Sequence, residues 1–456
     1  MSNSQSKERY VTIRDRHRCF SPETLGSYNF FTQIVEFTSL SEVDLDKLVE
    51  LYREHKESGN TIQFSDELYS LVVRVHPILA HEYTHFIDAT STVWGLRLLR
   101  DIYFAYNIQA NESQYFHAKH AADQVKKIKM PSYYSTSEES VSVDVPWRYQ
   151  ITCGSIFDQN GHPSKRQIPF LRFLNSSNEP FARCPISLLS MLEASATYQE
   201  LNSFSAALRL LPEDKKLVEN ALLEERFLKR LYNRNFTEYS VCTHFVANWH
   251  AIKDAAPAYH LTAAFVRLSL NIATSDISKF SISKEVSSII FPGQFPQRNE
   301  VEEKFNASLK EGDRAVLFTV LVRVMKAIFP LNKSFKEAYR DVLASALQHF
   351  DLELSDIESN SRSEYLKLHE EFRGLKLVPE ALSNAIFHNF NTFDEIYSPD
   401  IKFPQMQLPP AFYADLKQRP SFLGQSKNFG TFNLEDHADA LYPHVMWMTD
   451  FSDACI

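Results

Sequence analysis

The stretch Pro77-Ile-Leu-Ala-His81-Glu82-Tyr-Thr-His85-Phe-Ile-Asp88 sets two histidines four residues apart, with a glutamate beside the first. On a helix, residues at that spacing lie one above the other, so His81 and His85 offer two imidazole nitrogens to one metal ion from the same face. Glu82 is one step around the helix from His81, where its carboxylate reaches a metal-bound water as general base. The surroundings favour a helix. His76-Pro77 is a natural place to begin one, because proline suits the first turn and restricts the residue before it. Ile78, Leu79, Tyr83, Phe86 and Ile87 then supply apolar residues for packing, and no glycine intervenes before Gly95. The plain alternative is a core helix with two buried, hydrogen-bonded histidines.

A hydrolytic zinc site takes three protein ligands and keeps one position open for water, so a further donor is needed. A third histidine six residues past His85 would define the metzincin class, but that position is Ser91, and the glycine expected at 88 is Asp88. A short-spacer, aminopeptidase-like site would want a glutamate nearly twenty residues on, and none lies between Glu82 and Glu112. The next good candidate is Glu193, in Ser187-Leu-Leu-Ser-Met-Leu-Glu193-Ala-Ser-Ala-Thr-Tyr-Gln-Glu200. This segment has helical composition, and Ala194 and Ala196 leave room for close packing against the metal helix. Glu200 and the pair His117 and His120 are substitutes.

In these two motifs the chain resembles the gluzincin peptidases of the zincin superfamily, in which a second helix supplies the third ligand as a glutamate followed by small residues. Asp88, three positions past His85, looks most like the neprilysin-type version. The resemblance implies Zn2+ bound by His81, His85 and Glu193, with Glu82 as the base. The chain departs from the pattern at Thr197, where many gluzincins carry an aspartate that orients a metal-bound histidine. Zinc peptidases commonly add a tyrosine or histidine that donates to the oxyanion of the tetrahedral intermediate. Tyr239, His250, Tyr259 and His260 are the candidates here, and the sequence does not rank them.

The whole chain bounds the reading. It has 456 residues, 44% of them hydrophobic and 13% aromatic, which is ample for a substantial globular core. Only ten glycines occur, disfavouring a sandwich or barrel with many tight turns. A net charge of −9 argues against nucleic acid as the main partner. The apolar run Ala315 to Phe329 is interrupted by Arg323 and Lys326 and is too short for a bilayer, so no membrane partner is expected. Five cysteines without a pairing pattern, and an N-terminus without an apolar h-region, read as a reduced, cytoplasmic protein.

The expected fold is mainly α (α+β): a zincin-like catalytic core with a small mixed sheet, a β-hairpin insertion and a helical C-terminal domain. Residues 1–60 form an N-terminal segment with an early strand within Tyr28–Phe37 and a helix from Ser41 to Glu54. Residues 61–295 form the zincin-like domain, with an insertion at about 128–170 where serine, proline and short alternations replace helical spacing. Residues 296–456 form the helical C-terminal domain. A short strand at 61–65, or the run 28–37, is placed to bind substrate backbone by strand addition. The expected function is an intracellular zinc metallopeptidase acting on a specific protein or peptide substrate, in regulation, stress or phage defence. The alternative is a zinc-stabilised, inactive binding or scaffold protein that retains the helix.

Overall fold

A computed structural model describes residues 8–13, 25–57, 64–109, 111–157, 161–291, 298–325, 335–414 and 416–455. The molecule is mostly helical, with two small four-stranded sheets.

The first sheet begins where one early strand is expected. Residues 28–37 instead make a hairpin, β1 (Ser27–Tyr28) against β2 (Val35–Phe37). The turn between them is closed by the Asn29 side chain, which accepts from the backbone of Phe31 and Thr32, and by Gln33 at φ 62°. Aromatic and branched composition marked the stretch as extended but carried no sign of this reversal.

Helix α1 (Glu42–Glu57) buries Leu45 and Leu48. Residues 61–63 of the expected second strand lie outside the described residues, and Ser65 is the N-cap of the next helix, accepting from the Leu68 backbone. That helix, α2 (Asp66–Thr90), carries the two histidines. It does not start at Pro77 but runs through it. Proline removes one rung of the backbone ladder, and burial of Leu68, Leu71, Val72 and Val75 before it and Leu79 after it holds the helix together. Ser91 and Thr92 end α2, and α3 (Val93–Asn107) turns back at once. Gly95 permits that turn: a Cβ there would sit 2.3 Å from the Ala89 carbonyl and 2.4 Å from that of Asp88. Helix α4 (Tyr115–Lys126) follows after a short turn at Glu112–Gln114.

The insertion is a full antiparallel sheet in the order β3-β6-β5-β4. Its strands are β3 (Thr136–Ser137), β4 (Arg148–Phe157), β5 (Pro163–Leu174) and β6 (Pro180–Pro185). The expected hairpin is β4 with β5, and the sheet extends beyond residue 170 to Pro185. There it hands the chain directly to α5 (Leu188–Leu208), which starts with a capping box between Ser187 and Ser190. Helix α5 packs on α2, and Ala194, Ser195, Ala196 and Thr197 are all buried, small residues that allow close approach by the surrounding helices.

Helices α6 (Glu213–Leu231), α7 (Thr237–Trp249) and α8 (Ala255–Asn271) enclose the other sides of α5. The remaining chain supplies six helices of ten residues or more, including Arg314–Val324, Leu354–Arg373 and Leu434–Ala454. It also returns to the first sheet. Strand β7 (Ala411–Tyr413) pairs in parallel with β2, and β8 (Gln418–Arg419) closes the order β1-β2-β7-β8, leaving β1 at one edge. Tyr83 on α2 donates to the Pro409 carbonyl at 2.8 Å, and one hydrophobic cluster runs from Ile13 through Phe86 and Phe318 to Met448. Among the described residues, no helix is long and apolar enough to cross a membrane.

Candidate metal centre

Helix α2 sets the rings of His81 and His85 on one face, their centroids 5.0 Å apart and their planes nearly perpendicular. Helix α5 brings Glu193 to both. Its Oε2 lies 3.2 Å from His81 Nε2, and its Oε1 lies 4.0 Å from His85 Nε2. One donor atom from each residue falls within 4.8 Å of the others, and among the described residues this is the only group of three that meets that spacing.

The fit to a metal ion can be tested on these contacts. Two ligands bound tetrahedrally at about 2.0–2.2 Å lie roughly 3.3–3.6 Å apart. The closest approach of His81 to Glu193 is already near that separation, and the three donor atoms lie within 4.8 Å of one another, so the ligands would draw in by up to about 1.5 Å to close on one ion. Glu193 Oε2 is buried and, among the described residues, has no hydrogen bond of good geometry despite its 3.2 Å neighbour. Two polar atoms that close, but not aligned on each other, fit lone pairs directed at a shared third point. Glu82, Glu193 and Glu200 gather around His81 and the Arg230 guanidinium, a carboxylate-rich setting in which a bound cation would take over the place of the His81 proton.

The electrostatics differ sharply between the two histidines. Burial acts to lower the pKa of His81, but contact with Glu193 and Glu200 outweighs it and raises the value to about 10. His85 is pushed well below its usual range by burial and by the neighbouring His81 charge. Glu82, 4% exposed, is raised to about 8, chiefly by burial, with His81 opposing and Glu193 and Glu200 adding to the rise. Its Oε2 is also without a hydrogen-bond partner among the described residues. Gly26, just before edge strand β1, lies directly over this side chain: a Cβ would come within 2.7 Å of Glu82 Cγ and 2.9 Å of the Glu36 carbonyl. The edge of the first sheet thus crosses the centre at its base.

The other expected site residues separate. Tyr239, in the first turn of α7, has its phenol pKa raised by burial and then by Glu193, with Glu82 also contributing, and the Arg230 guanidinium stands 5.7 Å from its ring. Tyr259 is buried against Phe227, and the charges it feels are those of Arg230 and Glu200. His260 is engaged with Tyr198, 3.1 Å from its Nδ1, and Tyr198 donates to Asp400 at 2.6 Å. His250 caps the end of α7 and stacks on Phe265, its pKa lowered to about 4 by burial. Of the substitute ligands, His120 lies 3.7 Å from Asp101 and His117 packs on Phe104. Glu200 does reach the centre, 3.5 Å from His81 Nδ1, and Arg230 binds it at 2.6 Å.

Thr197 is fully buried, and its hydroxyl has no partner among the described residues, so it does not stand in for the aspartate expected from the resemblance. Asp88 is also turned away from the metal position, in a buried ion pair with Arg267 at 2.8 Å. Two residues at the centre escaped the sequence reading. Arg230 sits in a charged amphipathic segment with nothing to distinguish it from its neighbours, and Gly26 was one of ten glycines with no motif around it.

Comparison with protein-family models, curated proteins and solved structures yields no match. What the geometry defines is a mostly helical protein with a His81-His85-Glu193 group arranged to hold a metal ion.

Proposed function

We propose that this protein is a zinc-dependent peptidase acting on a specific protein or peptide substrate inside the cell. The observation that carries the reading is the convergence of His81, His85 and Glu193 with a buried Glu82 beside them, whose Oε2 has no hydrogen-bond partner among the described residues, and the edge of a sheet above. Zinc held by the three ligands would polarise the scissile carbonyl and acidify the attacking water.

Glu82 would take the proton from that water and pass it to the leaving amine. Its burial raises its pKa to about 8, which makes the carboxylate a stronger proton acceptor. Strand β1 ends the strand order of its sheet, where an extended substrate would add, and Tyr239 is the oxyanion donor best supported by its electrostatic surroundings. The large regions outside the centre favour a narrow substrate over general digestion, in regulation, stress or phage defence.

The test is metal content beside turnover on a peptide library. Wild type and Glu82→Gln each retain about one zinc per chain, Glu193→Ala loses it, and Glu82→Gln lowers turnover by about 10²–10⁴-fold. A Glu82→Gln protein cleaving at the wild-type rate would falsify the role given to Glu82. The second reading, a zinc-stabilised scaffold without activity, draws on the missing acid at Thr197. It requires zinc in both proteins and no cleavage in either.

A further inference from the structure

We propose that Glu200, clamped by Arg230, is the positioning residue for His81. It holds the imidazole with its proton on Nδ1 and its lone pair on Nε2 toward Glu193. This inference rests on the metal centre read above and extends it to the shell that supports the ligands.

Glu193, Thr197 and Glu200 are spaced at i, i+4 and i+7 on α5 and therefore share one helical face, which is the face turned toward α2. The middle position holds a hydroxyl that has no partner among the described residues. The outer position holds the longer acid, and that carboxylate reaches His81. The two ring nitrogens of His81 then meet different carboxylates: Nε2 stands 3.2 Å from Glu193 and Nδ1 stands 3.5 Å from Glu200. With a metal at Nε2 the imidazole would keep a single proton, on Nδ1, and the Glu200 carboxylate stands where it would accept that hydrogen bond.

A small rotation of the ring brings the 3.5 Å contact to hydrogen-bond length. Glu200 is itself prevented from swinging away by the 2.6 Å bond from Arg230 Nη1. Arg230 is also the guanidinium beside the Tyr239 ring, so a single side chain on α6 braces both the ligand support and the candidate oxyanion donor. An ordinary surface ion pair would not explain this arrangement, since Glu200 and Arg230 are only 20% and 28% exposed and the shared carboxylate oxygen faces both the guanidinium and the imidazole.

The experiment measures zinc affinity by competition with a chromophoric chelator in the full-length wild type, Glu200→Gln, Glu200→Asp and Arg230→Met, with unfolding of each chelated protein recorded in parallel. Glu200→Gln keeps the shape and loses the charge. It should bind one zinc at saturation with an affinity about 10–100-fold weaker than wild type. Glu200→Asp, whose carboxylate is withdrawn by about 1.5 Å, should fall between the two. Arg230→Met leaves the carboxylate on His81 and should lose less zinc affinity than Glu200→Gln.

If Glu200 served only to pair with Arg230, Glu200→Gln and Arg230→Met would shift unfolding alike and leave zinc affinity unchanged, and that result overturns the proposal. If Glu200→Gln does not fold, Glu200→Asp decides: affinity equal to wild type overturns it. Wild type that binds no zinc would instead overturn the metal centre itself, an outcome distinct from unchanged affinity in the variants.

Discussion

Helix α2 carries two buried charge clusters, one around His81 and one around Asp88, and they are built differently. At Asp88 the balance is one to one. The carboxylate and the Arg267 guanidinium, 0% and 1% exposed, meet at 2.8 Å, and Arg267 lies 4.3 Å from the centre of the Phe393 ring. Burial raises the Asp88 pKa, and Arg267 opposes the rise. Around His81, three carboxylates gather about the imidazole and the Arg230 guanidinium, and two of them retain buried oxygens without hydrogen bonds among the described residues. The first cluster pairs one acid with one base and ties α2 to α8, although Asp88 Oδ2 and Arg267 Nε also lack hydrogen-bond partners among the described residues. The second brings two imidazoles and a carboxylate from two helices within ligand spacing of one another. Burial and unpaired polar atoms therefore do not mark a functional site; the convergence of donor atoms does.

The largest expected effect tests the closed cluster. Asp88→Asn leaves Arg267 buried without its counter-charge and should cost about 3–5 kcal/mol in denaturant unfolding, while the folded variant still takes up one zinc. Loss of zinc from a folded Asp88→Asn protein would break the comparison by joining the two clusters functionally. Next is the open cluster. Free zinc at a hundred times its Kd should stabilise the wild type by about 2.7 kcal/mol. Glu193→Gln should abolish that gain, yet in chelator it should be weakened less than Asp88→Asn, because Glu200 still faces His81. A chelated Glu193→Gln protein as weakened as Asp88→Asn would show that Glu193 is a structural partner instead.

The smallest effect is at the rim. Gly26→Ala places a methyl against Glu82 and the Glu36 carbonyl, and should lower kcat by about tenfold or more with zinc affinity intact. Unchanged kcat would show that the first sheet does not set the position of the base.

The parts of the centre differ in how legible they were. His81, Glu82 and His85 lie within one helical turn and a half, so their spacing is already their geometry. Glu193 was legible through its small neighbours, which foretold the tight packing of α5 on α2. Glu200 was noticed as a spare ligand, but its place behind His81 depends on the angle between two helices. Arg230 lies on a third helix and Gly26 on a strand from the N-terminal region, and no local pattern ties either to the centre. The same limit explains the fold. Pro77 looked like a helix start because local rules assign it that role, whereas burial on both sides carries α2 through it. Strand β7 lay hidden in a proline-punctuated tail, since a strand of three residues is made by its partner, here β2, more than by its own composition.

The sequence by itself determined that a helix would present two imidazoles and a carboxylate on adjoining positions, that a second helix with small residues would carry a further acid, and that the chain would be mostly helical. These follow from periodicity and side-chain size, which act over a few residues. Only the tertiary structure decided which acid faces which histidine, that the expected orienting position at Thr197 is vacant of charge, and that β1 and Gly26 lie over Glu82. Those outcomes depend on how separate elements pack, where displacements of an ångström determine whether two polar atoms meet.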